Sequence, residues 1–322
     1  MRYLFFDIEC ADGSKAICEF GYVLTNEKFR VIQKRNILIN PECKFNLTGR
    51  VGQEDLLLSY PYNEYYKHQP FDEVYDEIKY LMCQKDLMIF GHAVKNDIGF
   101  LFKDCNRYGL KLFDFKSHDV QMMLPVFSKK NRRFAKLDVA FDKLAPADIK
   151  EGLKNHRACD DAFKTMIVFK MMVVDLEFTP NELIDSCPNC VYDSLEYWKQ
   201  RKEERKLRKQ KEKRVAKRKK GEKVWADLCN KHRPLLEKQE SIGKLVTVNG
   251  EMKEHLKELE ELITIIKGKG YVAYKGINGS DILVAYNEDD KKTTQEGLKY
   301  PYSGKLVTYD EFINTSKTSG RT

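Results

Sequence analysis

The N-terminal strand pattern YLFFDIEC ends in two acids, Asp7 and Glu9, separated by one isoleucine. Because side chains alternate across a strand, the two carboxylates share one face about 7 Å apart. Like charges held that close repel each other unless a positive group lies between them. These residues alone allow two interpretations, a strand that ends in water or a pair of ligands for a cation.

Two later stretches carry further acids at the ends of predicted elements. In FGHAVKNDIGFL, a buried strand ends and Asp97 opens the next helix, a position that the helix dipole alone also favours. In NHRACDDAF, His156 precedes Asp161 by five residues, which would place them about 140° apart on one continuous helix. We therefore predict that His156 lies in the loop before the helix, over the place that Asp161 faces, and that Asp160 points elsewhere.

Four acids and a histidine at the ends of elements predict a site for hard cations. Oxygen ligands suit Mg²⁺ or Mn²⁺ rather than zinc. Two such ions about 4 Å apart can activate water and stabilise the leaving oxygen in phosphodiester cleavage. A histidine titrates near neutral pH and is a suitable base for that water. The predicted catalytic residues are His156, Asp7, Glu9, Asp97 and Asp161.

The elements that must position these residues form an α/β pattern over residues 1–178. Two further strand-like runs follow the first strand and indicate a meander. A helix comes next, on which Phe71, Val74 and Ile78 share one face, and a long apolar helix over about 159–176 closes the region. This mixture of strands and helices predicts a mixed sheet flanked by helices.

A strongly basic segment follows, and we assign residues 179–240 to a basic, helical linker. Between Lys199 and Lys223 there are fifteen Lys or Arg and four Glu, which gives a net charge of +11. Since the chain of 322 residues carries +8 in total, the remainder carries −3. Such a run either stays solvated or lies along nucleic-acid phosphates.

The three acidic stretches, taken in order, resemble motifs one, two and three of the DEDDh 3′–5′ exonucleases, a ribonuclease H-like family that includes proofreading subunits of DNA polymerases. The resemblance implies that Asp7, Glu9, Asp97 and Asp161 bind two divalent metal ions, with Asp7 bridging both. It implies that His156 orients or deprotonates the attacking water. Cys10 stands where the family commonly has Thr, which affects the expected nucleotide preference rather than metal ligation.

Residues 241–316 resemble a BRCT domain of the type appended to bacterial DNA ligases. The pattern of strand, helix, two strands, short helix, strand and helix fits that family, as does VNG after the first strand. The resemblance implies a partner protein, such as a DNA polymerase or another replication or repair protein. Phosphate-binding members have a hydroxyl residue before the turn glycine, where this chain has Asn249 before Gly250.

Nine cysteines scattered over a long chain fit a reducing compartment better than a disulfide framework. Cys187 and Cys190 with Cys229 and His232 have spacings that could hold one structural Zn²⁺, but the intervening gap is long, and four unrelated residues are the favoured interpretation. No stretch approaches the roughly 18 apolar residues of a membrane helix, so we expect a cytoplasmic protein without membrane contact.

The sequence as a whole predicts a metal-dependent 3′–5′ exonuclease that acts on single-stranded DNA or DNA 3′ ends in replication or repair. A 3′–5′ exoribonuclease is the alternative within the same chemistry, because the same site cuts RNA if it admits a 2′-hydroxyl. A DNA-binding adaptor with an inactive nuclease domain is the alternative from another class, and the intact set of five residues argues against it.

Overall fold

The computed structural model describes residues 1–12, 16–46, 58–128, 136–232, 243–298 and 302–314. The chain divides into two compact units, Met1–Lys202 and Glu203–Thr322. The boundary predicted between residues 240 and 241 lies outside the described residues. Within the described ranges, no helix has the length and apolar character that crossing a membrane requires.

The first unit is built on one mixed sheet of six strands. The strands are β1 (Arg2–Cys10), β2 (Ile17–Asn26), β3 (Val31–Leu38), β4 (Leu87–Gly91), β5 (Lys116–Asp119) and β6 (Val191–Asp193). Their order is β3-β2-β1-β4-β5-β6. β1, β2 and β3 pair antiparallel, β4 and β5 continue parallel to β1, and β6 is antiparallel to β5. The predicted mixed sheet flanked by helices is confirmed.

Helices follow the strands of this sheet in chain order. They are α1 (Tyr62–Tyr65), α2 (Phe71–Met82), α3 (Lys95–Arg107), α4 (Val120–Ser128), α5 (Leu137–Leu144), α6 (Ala158–Asp175), α7 (Pro180–Asp185) and α8 (Ser194–Lys231). The sixth strand lies beyond residue 178, so the sheet of the first unit includes chain from the region that the sequence assigned to a linker.

The sheet separates two apolar cores, and β1 contributes to both. Leu4 and Phe6 pack with the apolar faces of α2 and α3, whereas Tyr3 and Phe5 pack with α6. This division follows from the alternation of side chains along a strand. Each fully buried side chain of this size contributes roughly 1.5–3 kcal/mol, so β1 is held rigidly from both faces up to the acids at its end.

The second unit contains a smaller, parallel sheet. Its strands are β7 (Leu245–Val248), β8 (Val272–Ala273), β9 (Ile282–Ala285) and β10 (Lys305–Thr308), in the order β10-β9-β7-β8. The helices that follow these strands are α9 (Leu256–Gly268), α10 (Glu288–Gly297) and α11 (Tyr309–Asn314). Leu259, Leu262 and Ile266 of α9 are buried against the sheet with Trp225 from α8.

Candidate metal centre

β1 extends beyond the end of its neighbour β4, so that Asp7 and Glu9 lie on a part of β1 that β4 does not cover. The pairing of the two strands runs from Arg2 to Phe5, and β4 ends at Gly91. On the other side, β2 continues beside β1, with Asp7 opposite Gly21. The backbone of β1 between the two acids therefore has no β4 partner, and a group from elsewhere must satisfy it.

Asp97 provides that group from the first turn of α3. Its Oδ1 accepts a hydrogen bond of 3.2 Å from the backbone N–H of Ile8, the residue between Asp7 and Glu9. The side chain of Asp97 is buried. This contact fixes the third predicted acid against the same stretch of β1 that carries the first two.

His156 and Asp161 approach the strand from the start of α6. His156 lies two residues before the helix and has a left-handed backbone, with φ of 57°. Its backbone N–H donates a hydrogen bond of 3.1 Å to Asp161 Oδ2, and its Nδ1 lies 3.4 Å from Glu9 Oε1. Ligand atoms of Glu9, His156 and Asp161 lie within 4.8 Å of one another. This close group of three does not include Asp7 or Asp97.

The remaining two acids interact with that group electrostatically. Burial raises the pKa of Asp7 well above its usual range, and the charges of Asp97, Glu9 and Asp161 raise it further. Burial raises the pKa of Asp97 in the same way, with further contributions from Glu9 and Asp119. Carboxylates whose mutual repulsion disfavours ionisation are stabilised by a positive charge among them.

The donor set fits divalent cations. Four carboxylates offer hard oxygen ligands of the kind that Mg²⁺ and Mn²⁺ prefer. Among the residues that the structure describes, Glu9, His156 and Asp161 form the group of metal-ligating side chains with converging ligand atoms.

Lys164 is a charged residue beside Asp161 that was not among the site residues predicted from the sequence. It is buried, and its Nζ lies 2.8 Å from Asp161 Oδ1, 2.9 Å from Asp138 Oδ1 and 2.6 Å from Asn155 Oδ1. Lys164 follows Asp161 by three residues on α6, a spacing that brings side chains together on one helix face. Burial raises the pKa of Asp161 to about 6, although the ammonium of Lys164 acts in the opposite direction.

The start of α6 is anchored by two strands of the sheet, through residues that sequence patterns did not reveal. Glu19 Oε2 on β2 accepts the backbone N–H of Ala158, and Asn36 Oδ1 on β3 accepts that of Cys159, each at 3.1 Å. A Cβ at Gly21 would lie 2.0 Å from the backbone nitrogen of Cys159. Only glycine permits this close approach, which brings the helix and its loop to the acids of β1.

Asp160 points away from the cluster, toward β3. Its side chain is buried and pairs with Lys34, and its Oδ2 accepts the backbone N–H of Lys154 at 3.1 Å. Burial raises the pKa of this carboxyl, but Lys34 and the amide of Lys154 outweigh that effect and hold the pKa below its usual range. The two neighbouring aspartates of α6 therefore occupy electrostatically opposite surroundings.

Three of the four residues considered for zinc lie in apolar cores. Cys187 and Cys190 are buried in the α6 core of the first unit, where the Cys187 thiol donates to the carbonyl of Met122 at 3.1 Å. Cys229 is buried in the core of the second unit. In the described part of the chain, none of these residues belongs to a cluster of three metal-ligating groups.

Comparison with protein families identifies an exonuclease family that matches this chain. The RNase_T family, described as Exonuclease, matches residues 4–169, which include every residue of the candidate metal centre. Comparison with curated protein sequences finds no match.

Solved structures with a similar fold include three nucleases. Exonuclease X in complex with 5′ overhanging duplex DNA is 13% identical, covers 58% of this chain and 98% of its own, and has a TM-score of 0.42. The nuclease domain of 3′hExo, a DEDDh family member bound to rAMP, is 18% identical, with coverage of 54% and 90% and a TM-score of 0.44. E. coli Exonuclease I in complex with a dA16 oligonucleotide is 14% identical, with coverage of 57% and 42% and a TM-score of 0.44.

Proposed function

The chain belongs to the exonuclease family, and on this basis we propose that it is a metal-dependent 3′–5′ exonuclease that releases nucleoside monophosphates from DNA ends. Family membership supports nuclease activity. One observation supports the proposed mechanism: Glu9, His156 and Asp161 bring their ligand atoms together beside Asp7 and Asp97, at the open end of β1.

We propose that Asp7, Glu9, Asp97 and Asp161 hold two divalent ions. When bound, such ions supply the positive charge that stabilises the attacking and leaving oxygens in phosphodiester cleavage. Asp7 interacts with the charges of the other three acids, so it would help to hold the cations that those acids bind. Lys164 holds one oxygen of Asp161, and the backbone of His156 holds the other. These contacts orient the carboxylate in advance.

His156 is proposed as the base that takes a proton from the attacking water. Glu9 Oε1 faces its Nδ1, so Nε2 is the ring nitrogen available to accept the proton. The His156 side chain is 41% exposed, which allows water and a substrate to reach it. The left-handed backbone of His156 is held by the hydrogen bond from its N–H to Asp161.

The substrate can be tested by digestion of matched single-stranded DNA, mismatched duplex and single-stranded RNA with Mg²⁺ or Mn²⁺. The proposal predicts stepwise shortening of both DNA substrates. Degradation of the RNA alone would instead identify an exoribonuclease. Binding of DNA without cleavage under any metal would identify an adaptor with an inactive nuclease domain.

We propose further that the second unit is a BRCT-like module that docks the nuclease to a replication or repair protein. Its four parallel strands and alternating helices support this proposal. The turn at Gly250 already holds an acid, because Asp290 accepts the backbone N–H groups of Glu251 and Tyr286 at 3.0 and 2.8 Å. Since a carboxylate occupies these donors, we expect docking that does not require a phosphorylated partner.

A further inference from the structure

The middle of α8 is a helix with no apolar face. Every residue from 202 to 220 is exposed to solvent. The stretch contains two large apolar side chains, Leu207 and Val215, and both are themselves exposed. A helix that is polar on all sides gains little from packing, and its charges remain available to a partner in solution.

Five lysines line one side of this helix within the second unit: Lys206, Lys209, Lys213, Lys217 and Lys220. At about 100° per residue they fall within an arc of about 80°. The acids Glu203, Glu204 and Glu212 all project outside that arc. The row spans fourteen residue steps, or about 21 Å. We call these five residues the lysine row.

The lysine row is not neutralised by the protein. In the described part of the chain, none of its members makes an ion pair, although Arg208 pairs with Glu212 and Arg214 with Glu254 on other sides of the same helix. Like charges three and four residues apart destabilise a helix. A row of such neighbours is therefore expected to bind a polyanion, which would relieve their repulsion.

We propose that the lysine row binds the phosphate backbone of a single-stranded polynucleotide, which deepens the proposed nuclease function and rests on it. A flexible strand can follow a straight row and place a phosphate beside each lysine. A strand of duplex DNA winds once in about 34 Å, so over 21 Å it turns most of the way around its axis and leaves the row. Insertion of this helix into a membrane surface would require an apolar face, which the stretch lacks.

The test compares two variants with the same loss of charge. The first replaces Lys206, Lys209, Lys213 and Lys217 with glutamine. The second replaces Arg208, Lys211, Arg218 and Lys219, which lie on the same helix outside the row. Affinity of the full-length protein for oligo(dT) of thirty nucleotides is measured in EDTA at four salt concentrations, and circular dichroism checks that both variants keep their helix.

Each phosphate of a single strand that a lysine of the row neutralises should contribute about −0.7 to the slope in a plot of log affinity against log salt. The first variant should flatten the slope by about 2.8, and the second should leave it within about 0.7 of the wild-type value. Equal flattening in both variants would overturn the proposal, as would an unchanged slope in the first. Tighter binding to duplex of the same length, or to anionic vesicles, would also overturn it.

A separate measurement distinguishes this proposal from the nuclease function. Hydrolysis of a thymidine 5′-monophosphate p-nitrophenyl ester in Mn²⁺ requires no long strand. It should be unchanged in the first variant, because the substituted lysines are not part of the candidate metal centre. Hydrolysis of the ester without any effect of the row on oligonucleotide affinity would refute the lysine row and leave the nuclease proposal standing.

Discussion

Removing the charge of Asp161 should stabilise the metal-free protein, whereas removing that of its neighbour Asp160 should destabilise it. Burial raises the pKa of Asp161 to about 6, from an ordinary value of 3.8. The difference of about two pH units corresponds to about 3 kcal/mol against ionised Asp161 in the folded state at neutral pH. In the first unit, of 202 residues, Asp161→Asn should raise Tm by roughly 6–12 °C.

The pH dependence of stability follows from the direction of the pKa shift of Asp161. A carboxyl whose pKa is raised on folding contributes stability below its unfolded value of 3.8, and this contribution is lost as the pH rises through about 6. The advantage of Asp161→Asn should therefore be full at pH 7.5 and should vanish near pH 4. Asp160→Asn removes a carboxyl whose pKa is lowered by Lys34, so its effect should have the opposite sign above pH 4.

Differential scanning calorimetry in EDTA between pH 4 and pH 7.5 provides the assay. A repeat with Mn²⁺ adds the metal: the ion should raise the Tm of the wild type by mass action, and Asp161→Asn should reduce that rise. Changes in Tm of the same sign in Asp160→Asn and Asp161→Asn would refute the electrostatic reasoning. A rise in Tm from Asp161→Asn that does not change with pH would also refute it.

Three further predictions concern His156, Lys164 and Cys187. His156→Gln should lower the cleavage rate by a factor of about 10² to 10⁴ with the Mn²⁺-induced rise in Tm retained. The wild-type rate should fall at acid pH as the imidazole of His156 protonates, and an acid limb that persists in the variant would show that another group titrates. Lys164→Met should destabilise the metal-free protein by about 3 kcal/mol in urea at pH 7.5 because ionised Asp161 loses its buried partner, whereas in Asp161→Asn the ammonium of Lys164 keeps Asp138 and Asn155 as partners. Unchanged stability of Lys164→Met would contradict the ion pair. Protein purified without chelator should contain well below one zinc per chain, and stoichiometric zinc that is lost in Cys187→Ser would overturn the placement of that thiol in an apolar core.

Local patterns were sufficient to predict strands β1 to β4 of the first unit and the elements that carry its acids. Phe71, Val74 and Ile78 are buried on one face of α2, as their spacing predicts. The apolar run of β1 and the acid in the first turn of α3 are also local features. Each of these depends on residues within a few positions of one another, and a single sequence contains that information.

The residues that hold the candidate metal centre in place do so through contacts between segments that are far apart in the sequence. Glu19 lies in a run that reads as an ordinary strand, and its burial is satisfied by Tyr65, Asn36 and the start of α6. The strand β6 has three residues, too few to produce a periodic pattern. The surroundings of Lys164 require α5 and the loop before α6 to meet, which no spacing in the chain indicates.

The central claim is that the acidic residues around Asp7 bind divalent metal ions and that the protein uses these ions to cleave DNA from its 3′ end. Two internally labelled single strands, one blocked by phosphorothioates at the 3′ end and the other at the 5′ end, can be incubated with the wild type and with Asp7→Asn in Mn²⁺ or EDTA. We predict release of nucleoside monophosphates from the strand with the free 3′ end, by the wild type and only in Mn²⁺. Release in EDTA, release by Asp7→Asn at the wild-type rate, or a preference for the strand with the blocked 3′ end would contradict it.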